Sequence, residues 1–257
     1  MTFRYKQFDI HQDHAAMKVG TDSDLLGTLS QGGSRILDIG TGTGVLSLML
    51  AQRYPDALIT AVEIDDNAII DARQNFAESA FGSRITLHHA SFQDFLKEAL
   101  NGESQSKDEE SQSKDGESPR YDAIVCNPPY FDKSMECDDL SRTRARHTSS
   151  LPFSVLTQGA YALLKDGGTL SVCIPPEVLT SYTKECYFAG FHPYRTYKIK
   201  SIPSKLPKRY VLVHQKGTIP THTEYEYCMR NEDRTRSDWY KKLMEDFLIH
   251  DFSKQSK

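Results

Sequence analysis

Tyr121-Asp122-Ala123-Ile124-Val125-Cys126-Asn127-Pro128-Pro129-Tyr130 is the stretch on which the fold turns. Its first six residues form a short apolar run, the pattern of a buried strand in a parallel sheet. Open α/β sheets hold their ligands just beyond the carboxyl ends of such strands. Asn127, Pro128, Pro129 and Tyr130 therefore follow where chemistry is usually done. The two prolines fix φ and remove two N–H donors, leaving a stiff turn whose carbonyls are able to accept. An Asn amide and an aromatic ring flank them. Such a site suits a planar amine, which needs acceptors for its N–H bonds and a ring to stack on. Taken alone, the same four residues also fit a turn that merely ends a strand.

Strand-like and helix-like runs alternate on either side. Strands are predicted over 35–39, 58–64, 84–89, 121–126 and 169–174, and helices over 44–53, 67–80, 92–100, 153–164 and 176–188. This alternation predicts an α/β fold with a doubly wound, mostly parallel sheet. Residues 191–200 and 209–215 read as the last two of seven strands, an antiparallel pair at one edge, joined by a basic loop with Pro203 and Pro207. A closing helix over 237–248 carries Trp239, Leu243, Met244, Phe247 and Leu248 as an apolar stripe for the core. The chain thus divides into a leader (1–34), a main domain (35–220) and a strand/helix extension of that domain (221–257).

Residues 101–120 break the pattern. Glu-Ser-Gln-Ser-Lys-Asp at 103–108 recurs at 110–115 with no apolar residue in either copy. A heptad needs apolar a and d positions, so the repeat is a polar, low-complexity insertion, expected to be a disordered and dispensable surface loop.

Composition sets the remaining bounds. Of the net charge of −4, the insertion alone carries −3, with six acids against three bases. The body is therefore nearly neutral, and its bases gather in two places: Arg142, Arg144 and Arg146, and residues 195–209, which hold Lys205, Lys208 and Arg209 among six bases and no acid. An acidic average is compatible with a polyanionic partner when bases share one face, although a solvated surface produces the same pattern. Five scattered cysteines without a C-x-x-C pair argue for a reducing cytoplasm and against a disulfide framework or zinc site. No apolar run approaches the roughly 18 residues of a membrane span, and residues 1–6 lack a signal-peptide core. His11-x-x-His14 and His88-His89 have no convergent partners, so no metal is expected.

The first predicted strand runs into Asp38-Ile39-Gly40-Thr41-Gly42-Thr43-Gly44 and then a helix. Gly40, Gly42 and Gly44 allow backbone to approach a ligand closely. A dinucleotide fold would want G-x-G-x-x-G, but Val45 stands at the sixth position. The second strand ends at Glu63, 23 residues beyond Gly40, near the roughly 20-residue spacing at which an acid meets ribose hydroxyls. Glycine turn, acid and Asn-Pro-Pro-Tyr lie at the ends of the first, second and fourth predicted strands, and so share one crevice.

On these residues the chain resembles class I S-adenosylmethionine-dependent methyltransferases over roughly 35–180. Asp38 to Gly44 is similar to their first motif, Glu63 to their ribose acid, and Asn127 to Tyr130 to the amino-methyltransferase motif. A narrower resemblance, to bacterial tRNA1(Val) adenine-N6 methyltransferases, rests on Phe3-Arg4-Tyr5-Lys6-Gln7-Phe8, His11-Gln12-Asp13, Met17-Lys18-Val19-Gly20-Thr21-Asp22, Arg144-Ala145-Arg146-His147-Thr148 and Leu206-Pro207-Lys208-Arg209. It implies a cytoplasmic enzyme that transfers a methyl group from S-adenosylmethionine to the adenine 3′ to the tRNA anticodon, without a metal or an obligatory protein partner. Asp38, Gly40, Thr41, Gly42, Gly44, Glu63, Ser91 and Lys18 would hold the cofactor, with Lys18 in the leader closing over its amino-acid end. Asn127, Pro128 and Tyr130 would be catalytic, and the two basic clusters would hold tRNA phosphates. Ser91 departs from the wider pattern, which often has an acid there. Rival readings are a protein glutamine-N5 methyltransferase, whose amide poses the same chemical problem, an rRNA guanine-N2 enzyme, a non-catalytic RNA-binding module on the same fold, and a nucleotide-dependent oxidoreductase.

Overall fold

The computed structural model describes residues 2–105, 120–128 and 151–249. A short antiparallel hairpin, β1 (Thr2–Arg4) and β2 (Asp9–His11), precedes α1 (Thr21–Leu29). Strand and helix then alternate: β3 (Arg35–Ile39), α2 (Val45–Arg53), β4 (Leu58–Glu63), α3 (Asp66–Glu78), β5 (Ile85–His89), α4 (Phe92–Gln105), β6 (Tyr121–Cys126), α5 (Phe153–Leu163), β7 (Leu164–Ile174) and α6 (Leu179–Ala189). β8 (Phe191–Lys200), β9 (Pro207–Lys216), β10 (Thr223–Cys228) and a short α7 (Asp238–Leu243) complete the described chain.

The sheet has eight strands in the order β10-β8-β9-β7-β6-β3-β4-β5. This corrects the expectation of seven. It also corrects the position of the antiparallel strand, because β9 lies inside, paired antiparallel to both β7 and β8. The reason is burial: Val211, Leu212 and Val213 are covered on both faces, as in an internal strand. β10 adds in parallel to β8 and takes the edge.

Two apolar layers sandwich the sheet. Leu25, Leu26, Leu46 and Met49 of α1 and α2 pack on one face with Ala61, Cys173, Val211 and Val213. Phe92, Phe95, Leu156, Leu163 and Tyr182 of α4, α5 and α6 pack on the other with Leu37, Ile39, Ile124 and Val172. The N-terminal hairpin is tied to the C-terminal segment by a Tyr5–Leu248 bridge and a Lys6 amide bond to the Phe247 carbonyl (2.7 Å). α7 stops at Leu243, shorter than the expected helix over 237–248, yet Met244, Phe247 and Leu248 are still buried. The insertion lies largely outside the described residues; α4 extends to Gln105 and β6 resumes at Tyr121.

Candidate active site

Register sets strand ends level. Ile39 pairs with both Val62 and Cys126, and Glu63 pairs with His89. Gly40, Glu63, His89 and Asn127 therefore share one level at the carboxyl edge, on four adjacent strands.

The turn after β3 is built from glycine geometry. Gly40, Gly42 and Gly44 have φ of 69°, 58° and 84°, a region that side chains other than glycine rarely adopt. The amides of Gly40 and Thr41 both donate to the Val62 carbonyl (2.8 and 3.1 Å), stitching the turn to β4. A Cβ placed on Gly40 or Gly42 would meet nothing within 4 Å, whereas one on Gly44 would overlap the Phe76 ring. Two glycines thus leave an open face for a ligand, and the third lets α3 approach.

Two acids brace this turn. Asp38 is wholly buried. Its Oδ2 accepts from the hydroxyls of Thr41 (2.6 Å) and Ser47 (2.8 Å), while Oδ1 is buried without a hydrogen-bond partner in the described structure. Burial pushes its carboxyl up to about 6; the two hydroxyls pull downward and the Glu63 charge adds to the rise. Glu63 Oε2 accepts from the Gly42 amide (2.8 Å), and Oε1 accepts from the amides of Ile64 and Asp65 (2.8 and 2.9 Å). A carboxylate offers about four lone-pair sites, so a further donor such as a ribose hydroxyl still has room.

Asn127 is half-buried and Pro128 buried directly beyond β6. Burial drives the Cys126 thiol well above its ordinary range, with Asp38 and Glu63 adding to the shift. It stays protonated at neutral pH and supplies no thiolate. Tyr130, Arg142, Arg144 and Arg146 lie outside the described residues.

Ser91 caps α4. Its Oγ accepts from the Asp94 amide (3.0 Å), satisfying one of the helix's free N–H groups, and donates to Asp94 Oδ2 (2.7 Å). Lys18 Nζ donates to the Gln12 carbonyl, and Gln12 Oε1 accepts from the Val19 amide (2.8 Å), so Lys18 is engaged within the leader.

Two buried residues of α3 wire the leader to the site, and no motif announced them. Asn75 exchanges hydrogen bonds with the His11 backbone (2.7 and 2.8 Å) and donates to the Thr43 carbonyl in the glycine turn (2.8 Å). Asp71 accepts from the amides of His14 and Ala15 (3.0 and 2.7 Å) and meets the His14 ring (2.7 Å). Burial would raise the Asp71 carboxyl, but these donors hold it below its ordinary value.

Half of the second basic cluster is paired with acids. Lys198 meets Glu224 (2.7 Å), Lys200 meets Glu226 (2.6 Å) and Arg209 Nε meets Asp22 (2.7 Å). Arg195 lies over the Tyr194 ring (4.7 Å). Lys205 and Lys208 are exposed, with no ion pair to an acid among the described residues.

The methyltransferase small domain family matches residues 14–177. A Bacteroides thetaiotaomicron protein named tRNA1(Val) (adenine(37)-N6)-methyltransferase is 38% identical, covering 96% of this chain and 97% of its own. A Vibrio campbellii protein of the same name is 32% identical over 96% of this chain and 95% of its own. The chain belongs to this methyltransferase family. Its membership agrees with the open glycine turn and with Asn127-Pro128 directly beyond β6. A solved structure from Agrobacterium tumefaciens, described as a predicted O-methyltransferase, shares the fold at TM-score 0.65 and 19% identity, over 90% of this chain and 98% of that one. Among the described residues no group of three His, Cys, Asp or Glu side chains could hold a metal ion, and no helix is long and apolar enough to cross a membrane.

Proposed function

We propose that this protein transfers the methyl group of S-adenosylmethionine to the N6 amine of an adenine in tRNA, at position 37 of tRNA1(Val) as in the names of its relatives. The observation that carries this reading is the Asn127-Pro128 turn, held at the level of the open Gly40–Gly42 face, in a chain 38% identical to such an enzyme over nearly its full length.

The residues of the turn suit this cofactor. Gly40 and Gly42 present backbone with no Cβ in the way, and Glu63 retains accepting capacity for a ribose hydroxyl. The unpartnered Asp38 Oδ1 fits a donor at the cofactor's cationic amino-acid end, over which the leader with Lys18 would close. Ser91, engaged in its cap, would leave the adenine end to be met by backbone. When bound, the cofactor supplies a methyl group activated on a sulfonium sulfur.

The adenine amine is a weak nucleophile because its lone pair is delocalised into the ring. Asn127 Oδ1 and the Pro128 carbonyl would accept its two N–H bonds, favouring a pyramidal nitrogen with its lone pair turned toward the methyl group. Both acceptors are neutral and fixed by the strand end, so they act by positioning and preorganised dipoles without a strong base. Tyr130 would stack on the extruded base, worth roughly 1–3 kcal/mol. Lys205 and Lys208, with the Arg142, Arg144 and Arg146 knot, would hold tRNA phosphates, and Arg209 would serve chiefly by fixing α1 to β9.

The test is incubation with methyl-labelled cofactor and total tRNA, followed by nucleoside mass spectrometry. Labelled N6-methyladenosine is the expected product. Label confined to protein would overturn the reading.

A further inference from the structure

Leu206 is the most exposed large apolar side chain among the described residues, at 86%. Scattered surface apolar groups need no explanation, but this one stands on a braced loop. The Lys205 amide closes a turn onto the Ile202 carbonyl (3.1 Å). The Ser204 amide and hydroxyl bond the Glu232 carboxylate (2.7 and 3.1 Å). Lys200 pairs with Pro207 at the base of the hairpin, and Arg209 is anchored to Asp22. Pro203 and Pro207 stiffen the segment further.

Its place follows from register. Cys126 pairs with Val172, and Ile174 pairs with Tyr210. β9 thus runs two strands across from Asn127, a separation of roughly 10 Å. Leu206, four residues before Tyr210, stands beyond the end of β7 by roughly 13 Å at strand rise. It stands on the same carboxyl-edge side as Asn127, five residues beyond the level of Val211, flanked in sequence by Lys205 and Lys208.

We infer that Leu206 is a wedge that enters the anticodon-loop stack as the target adenine leaves it, while the two lysines hold the adjoining phosphates. This inference rests on the tRNA reading above. Apolar side chains inserted between bases unstack the step they enter, and a base that undergoes chemistry must leave its stack. An exposed leucine on a rigid, basic loop provides that group without first having to be ordered.

The test uses full-length protein and an anticodon stem-loop with 2-aminopurine just 3′ to the target adenine. Its fluorescence rises when the neighbouring base unstacks. Leu206→Ala should lower the single-turnover methylation rate at saturating enzyme by roughly 10- to 100-fold, in line with the free energy of extruding a base. It should also abolish the fluorescence rise, leave cofactor affinity and the salt dependence of RNA binding within twofold, and be largely rescued by Leu206→Met. If Leu206→Ala unstacks and methylates like the wild type, the wedge is refuted. So it is if the variant binds RNA more weakly but unstacks the bound RNA normally. A wild-type protein that makes no N6-methyladenosine would bring down the functional reading, and the wedge with it.

Discussion

The two ends of the sheet's carboxyl edge contrast in how their side chains find partners. At β3 and β4, the two acids meet groups of the segments that directly follow these strands: Asp38 meets Thr41 and Ser47, and Glu63 meets Gly42, Ile64 and Asp65. At β8 and β9, a run of six bases without an acid is met by Glu224, Glu226 and Asp22, brought from the far edge strand and from α1. A motif made of backbone geometry keeps its meaning wherever it is folded. The meaning of a charge cluster depends on what the fold lays beside it.

The largest expected effect breaks the motif end. Asn127→Ala should lower the methylation rate by roughly 10²–10³-fold or more, the loss typical of one preorganised transition-state contact. Cofactor affinity by calorimetry should change only a few-fold. Equal losses in both would contradict the division between methyl-donor cradle and amine clamp.

Next comes Asp38. Its folded carboxyl titrates at about 6 against an unfolded value of 3.8, so its ionisation disfavours the folded state. Wild-type stability from this group is highest below the unfolded value and falls as pH rises through the folded one. Asp38→Asn removes that dependence. Its stability relative to wild type, from urea unfolding without cofactor, should therefore grow between pH 4 and 7 by about 3 kcal/mol at most. A pH-independent difference would mean that the carboxyl is not held in its acidic form by burial.

Glu63→Ala should weaken cofactor binding by roughly 10- to 100-fold, the worth of a charge-assisted hydrogen bond and its braced turn. The adenine step at saturating cofactor should be altered much less.

The smallest effects sharpen the other end. Lys205→Ala and Lys208→Ala should each lower the slope of log affinity for tRNA against log salt by about one. Lys198→Ala and Lys200→Ala should change it less, since their charges already face Glu224 and Glu226; each pair should contribute only about 0.2–1 kcal/mol to stability. If all four lysines shift the slope equally, the pairing does not withdraw Lys198 and Lys200 from phosphate binding.

What could be read in advance follows the same contrast. The strands, the glycine turn and the place of Glu63 at a strand end were legible because each follows from a contiguous run with a strong period or a required φ. The pairing of β10 beside β8 was not anticipated, although Thr223-Glu224-Tyr225-Glu226-Tyr227 alternates as a half-covered strand should. The internal place of β9 was signalled by Val211-Leu212-Val213, an apolar run too continuous for an edge. α1 carries no apolar stripe to find, because Ser23, Asp24 and Thr28 are buried beside Leu25 and Leu26. Asn75 and Asp71 act across more than 50 residues of sequence, a coupling with no local signature. Ser91 stands three residues before Asp94, a spacing that fits a cap as well as a ligand, and only the fold shows the cap in use.

The most direct test of the central claim is nucleoside mapping of a tRNA1(Val) transcript after reaction with methyl-labelled S-adenosylmethionine and the full-length protein. The account predicts N6-methyladenosine at position 37, formed roughly 10²–10³-fold more slowly or worse with Asn127→Ala. A folded, cofactor-binding wild-type protein that leaves the transcript unmethylated, or that methylates a different base, would contradict it.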